Sequence, residues 1–117
     1  MNFEVLDDFN GLEMGFISNN SGGYISKNKY LFEKIELTHL NQFILEQSVF
    51  GTPIFKLGSG GANILLISGI HGNELPSQAA SLKLLEELIN IDLNNTVYMI
   101  PFAAPKATMN NERTLNS

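Results

Sequence analysis

Ile64-Leu65-Leu66-Ile67-Ser68-Gly69-Ile70-His71-Gly72-Asn73-Glu74 is the stretch on which the fold turns. The span Asn63 to Ser68 is a continuous apolar run, expected of a strand covered on both faces in a parallel or mixed sheet. Gly69 lets the chain leave that strand sharply, and Gly72 has no Cβ to obstruct a tight turn. A helix is predicted over 76–89, with Pro76 in its first turn and Ala79, Leu82, Leu85, Leu88 and Ile89 as an apolar stripe widened by Ala80 and Leu84. Glu86 and Glu87 fall on its polar side, where neighbouring carboxylates point in different directions and read as a solvated face. Asn90 to Asn95 makes a turn, and Thr96 to Ile100 is a second strand stopped by Pro101.

Strand, helix and strand in succession make a βαβ unit with its two strands parallel. In such a sheet the ligand crevice lies outside the carboxyl ends of the strands. His71 and Glu74 leave one strand end and Pro101 to Arg113 leaves the next, so both loops are expected to face one crevice.

Upstream the signals are weaker. Residues 1–30 read as short strands and turns, with Asn19-Asn20-Ser21-Gly22-Gly23 a loop. Leu31, Glu33, Ile35 and Leu37 recur with nearly period two, which predicts a strand. Phe43 to Val49 and Pro53 to Leu57 are β-prone runs separated by Phe50-Gly51-Thr52, the signal for a hairpin. Gly58-Ser59-Gly60-Gly61 reads as a plain turn; a phosphate cradle needs a Gly-Lys-Ser/Thr ending and a helix after it. His39 stands alone and reads as a surface or hydrogen-bonded residue.

A chain of 117 residues with 44% hydrophobic and 16% charged residues is an ordinary globular composition with room for one core. A formal charge of -5 and a pI near 4.8 argue against nucleic acid as a partner. The absence of cysteine removes disulfides and thiolate metal sites and suits a cytoplasmic setting. Neither a secretion signal nor a bilayer-spanning run is present, so no membrane partner is expected. Arg113 is the single arginine among 7 basic residues.

His71 and Glu74 offer an imidazole nitrogen and a carboxylate oxygen, the donor pair that zinc accepts in His₂Glu catalytic sites. A competing reading makes Glu74 a helix-capping carboxylate beside an incidental histidine. The strand end, the flanking glycines, the following helix and the second loop favour the metal reading.

Gly69-Ile70-His71-Gly72-Asn73-Glu74, then a helix, a strand and Pro101-Phe102-Ala103-Ala104-Pro105, with Arg113 eight residues after Pro105, resembles the zinc carboxypeptidase superfamily. The most similar branch is the succinylglutamate desuccinylase/aspartoacylase type. Gln47 to Phe55 also resembles the Gly-x-Pro-Ile/Val hairpin of that family, and the resemblance spans residues 42–113. It implies a three-layer α/β fold with a mixed, largely parallel sheet, of which only the N-terminal half is present. The implied division is a β-rich extension over 1–41 and half of a zinc-hydrolase catalytic domain over 42–117. His71 and Glu74 are implied as Zn²⁺ ligands, and Arg113 as the group that polarises the scissile carbonyl and stabilises the oxyanion. The implied reaction is hydrolysis of an amide bond in a small acylated amino acid or peptide.

Zinc lowers the pKa of a bound water toward neutrality, and zinc and a guanidinium in a dry crevice stabilise the oxyanion formed on attack at the carbonyl. Ala104-Pro105 stands where the family usually has Asn-Pro. The family's Asp-Leu-Asn-Arg element, its third ligand histidine and its general-base glutamate are expected beyond Ser117. The chain is thus expected to be an N-terminal fragment that binds zinc weakly or not at all and is inactive alone. An uncovered half-sheet is also expected to self-associate through its edge. The alternative is a non-catalytic binding or assembly module on the same fold.

Overall fold

The computed structural model of the chain describes residues 1–114. Strands β1 (Glu4–Leu6), β2 (Leu12–Phe16), β3 (Pro53–Gly58), β4 (Asn63–Ile67) and β5 (Thr96–Ile100) form one sheet in the order β1-β2-β3-β5-β4. Helix α1 (His39–Gln47) precedes β3, α2 (Leu75–Leu88) joins β4 to β5, and α3 (Pro105–Met109) follows β5. The β4–β5 pair is parallel, as a βαβ unit requires. β1–β2, β2–β3 and β3–β5 are antiparallel. The sheet is therefore mixed as expected, but it is not largely parallel: β3 enters beside β5 from the opposite direction and parts it from β2.

Register sorts the side chains between two faces. Met14, Phe55, Met99 and Leu66 align in one row across four strands. The first three are buried in one core with Leu40, Ile44 and Leu45 of α1 and Leu75, Leu82 and Leu85 of α2, and Leu66 packs against it. Removing one such large side chain fully from water contributes about 1.5–3 kcal/mol. Glu13, Lys56, Tyr98 and Leu65 align in the row that faces the other way. Phe3 lies against that row, its ring centroid 6.2 Å from that of Tyr98 and 5.8 Å from Lys56 Nζ. The described residues thus make two of the three expected layers. Residues 1–41 extend the same sheet and send Leu12, Met14, Ile25, Leu31 and Leu40 into the same core.

Three local expectations are corrected. Residues 43–47 belong to α1 rather than to a hairpin strand. Read from Leu40, the buried positions Leu40, Asn41, Ile44 and Leu45 have helical spacing. The Thr38 hydroxyl caps the helix by accepting from the Asn41 amide at 3.1 Å. The antiparallel partner of β3 on that side is β2, and the Thr52 amide donates to the Ser18 carbonyl at 3.0 Å. Residues 31–33 form a 3₁₀ turn instead of a strand, with Leu31 alone of the three buried. β4 is a strand as expected, but it is not covered on both faces. It is the sheet's edge in the described residues, with Ile64, Leu65 and Ile67 exposed at 38%, 55% and 47%.

The glycines between β3 and β4 make the plain turn, tied across β5 by the Thr96 hydroxyl donating to the Gly60 carbonyl at 3.1 Å. Glu87 is solvated, whereas Glu86 is half-buried and its Oε1 has no hydrogen-bond partner among the described residues.

Candidate metal and oxyanion site

Backbone hydrogen bonds hold the two strand-end loops together beyond the sheet. The Ala103 and Ala104 amides donate to the carbonyls of Ser68 and Gly69 at 3.0 and 3.1 Å, and the Ser68 hydroxyl donates to the Pro101 carbonyl at 2.6 Å. Farther out, the Gly72 amide donates to the Arg113 carbonyl at 3.1 Å. The loop with His71 and Glu74 and the segment ending at Arg113 therefore meet, as the parallel pair predicts. Pro101 to Arg113 is not all loop, however: α3 lies within it, opened by Pro105.

Two glycines are required here. Gly69 has φ 74°, a left-handed conformation that turns the chain out of β4. Gly72 lies so close to α3 that a Cβ would fall on the backbone of Ala107 and Thr108.

The Glu74 amide donates to the His71 carbonyl at 3.2 Å, a turn that folds Glu74 back over His71. Their side chains meet at 2.7 Å between His71 Nδ1 and Glu74 Oε1. Glu74 occupies the N-cap of α2, but its side chain makes no capping hydrogen bond. Its carboxylate is turned to the imidazole instead, which removes the helix-capping reading. The side chains are 34% and 57% exposed, so as an ion pair they contribute little to stability. Two donors on one tetrahedral zinc stand about 3.3 Å apart with bonds near 2.0 Å. The observed pair is already converged to within a small opening of that separation.

The donor types and their convergence fit a metal; the donor number does not complete one. Among the described residues no third His, Cys, Asp or Glu joins them. His39 begins α1 and lines a cavity of about 920 Å³ with Asp7, Asp8, Glu46 and Glu86, not with the His71 loop. The expected dry crevice is not formed by these residues, since His71 is half-exposed and Glu74 and Arg113 are exposed.

Residues 60–117 match the family model of the succinylglutamate desuccinylase/aspartoacylase catalytic domain. Over that segment, just under half of the chain, the sequence is similar to this family. No curated protein and no solved structure matches the chain. The desuccinylase/aspartoacylase match takes in β4, α2, β5, α3 and all three of His71, Glu74 and Arg113, and with them a hydrolytic family acting on amide bonds. It begins at Gly60, so Gln47 to Phe55, which resembles the family's hairpin, lies outside it.

Sequence reasoning missed Gln78, Thr108 and Asn28, which grip the loop from beneath. Gln78 is fully buried between Leu75 and Leu82 on α2. An amide standing alone on a helix's buried stripe is the signal that could have found it.

Proposed function

We propose that this chain supplies part of a zinc-dependent amide hydrolase site, with His71 and Glu74 as metal ligands and Arg113 as the oxyanion-stabilising group. The observation that carries the reading is the convergence of His71 Nδ1 and Glu74 Oε1 at 2.7 Å on a loop whose Gly72 amide bonds the Arg113 carbonyl. A zinc ion bound there would supply Lewis acidity toward an amide carbonyl and activate a water. The residues present do the rest of their part by placement. The turn from His71 to Glu74 presents both donors to one side, and the backbone bond to Arg113 keeps a guanidinium-bearing segment beside them. A guanidinium there favours the negative charge that develops on the carbonyl oxygen. The substrate class is an N-acylated amino acid or short peptide, in keeping with the family's names. No helix of the described residues is long and apolar enough to cross a membrane, and the cysteine-free composition supports a cytoplasmic setting.

Two protein donors leave a zinc ion short of the three that catalytic sites provide. The 117-residue chain alone should therefore bind zinc only weakly and hydrolyse no amide. Isothermal titration with zinc, together with an assay for amine release from N-acyl amino acids, tests this. Micromolar or weaker affinity without turnover is expected. Nanomolar affinity or turnover by this chain would contradict it.

The uncovered β4 supports a second reading, an assembly module on the same fold. Among the described residues its outer edge pairs with no other strand, and Asn63–Ile67 holds neither lysine nor proline against such pairing.

A further inference from the structure

We infer that Gln78 is the positioning residue of the His71–Glu74 loop, and that Thr108 and Asn28 relay its grip to the N-terminal segment. The inference rests on the proposed function only in taking that loop as the metal loop. Gln78 Nε2 donates toward three loop carbonyls, those of His71 at 3.4 Å, Gly72 at 3.2 Å and Glu74 at 3.1 Å. Its Oε1 accepts from the Thr108 hydroxyl at 2.9 Å. The carbonyls fix which end of the amide faces the loop, because a carbonyl only accepts and so needs the NH₂, which leaves Oε1 to accept from the Thr108 hydroxyl.

The network continues away from the loop. Asn28 Nδ2 donates to the Thr108 carbonyl at 2.8 Å and to Asn111 Oδ1 at 3.2 Å. Gln78 and Thr108 are fully buried, and Asn28 is 3% exposed. Buried polar groups of this kind are costly to leave unpaired, so the network holds one arrangement.

Shape agrees with this reading. A Cβ at Gly69 would press on the Gln78 side chain, and one at Gly72 would strike α3. The loop is thus seated between α2 and α3 and joined to Arg113 at its outer edge. The three groups assigned to the chemistry are exposed or half-exposed, while the groups that place them are buried. The arrangement gives the first forty-one residues a function at the site. The turn at 25–27 packs on α3, and Asn28 locks α3 at the height where Thr108 reaches Gln78.

Native-state hydrogen exchange on Gln78→Met and Thr108→Val tests the inference. Both changes keep side-chain volume and remove the polar link. Amide exchange at Gly72 and Glu74 should rise about tenfold or more in Gln78→Met and by a smaller factor in Thr108→Val, the scale of one buried hydrogen bond. Exchange at Val97 and Met99 in β5 should stay unchanged. In the same samples, the zinc concentration that half-shifts the His71 imidazole resonances should rise about tenfold in Gln78→Met. A uniform rise across loop and sheet, or no rise at all, would overturn the inference. If Gln78→Met does not fold, Thr108→Val decides by the same criterion. Wild-type chain whose His71 never responds to zinc would sink the metal reading while leaving the exchange result to judge Gln78.

Discussion

Gly72 is the residue at which the site tolerates least change. Its amide reaches the Arg113 carbonyl while its Cα abuts the Ala107–Thr108 backbone, so Gly72→Ala forces the loop away from α3. The expected loss is about 1–3 kcal/mol, read as a lower urea midpoint with an unchanged slope. An unshifted midpoint would mean that loop and α3 do not touch in solution. At this scale the sequence was informative where chemistry is carried by residue type. His71, Glu74 and the lone Arg113 stand out in it, and the structure brings their loops together. Gln78, Thr108 and Asn28 did not stand out, because an amide or hydroxyl reveals its role only through partners distant in the chain. Thr108 and Gln78 are 30 residues apart, and Asn28 and Thr108 are 80 apart.

Among the elements, α2 carries most of the link between core and site. Leu82 is fully buried one turn after Gln78, and Leu82→Ala should cost about 2–5 kcal/mol in thermal or chemical unfolding, a large part of a small domain's stability. Leu84→Ala on the same helix, at 37% exposed, should cost far less. Equal losses at the two positions would contradict the packing described. α2 and β5 were readable in advance because their periodicity is unmixed and their ends carry proline. α1 was not: Phe43, Ile44 and Val49 have strand propensity, and the cap at Thr38 with burial of Leu40, Ile44 and Leu45 overrides it. The apolar run of β4 predicts a buried strand, yet apolarity reports what a strand can bury, not what lies over it.

At the level of the molecule, the sheet of the described residues ends on an open edge. β4 pairs with β5 on one side, and Leu65 at 55% exposed and Ile67 at 47% lie on the face opposite the core, the face that carries Tyr98. The chain should therefore self-associate by edge pairing of β4 with a second copy, an arrangement that closes as a two-fold dimer. Light scattering should show a concentration-dependent mass above the monomer's 12.9 kDa, and Leu65→Lys should restore the monomer without unfolding it. A monomer at all concentrations would count against it.

Zinc titration followed through the resonances of the two histidine imidazoles tests whether His71 and Glu74 act as a converged pair of metal donors. His71 should shift with saturation in the micromolar range or above, Glu74→Gln should weaken the response, and His39 should stay still. Movement of His39 with His71 unmoved would contradict that role.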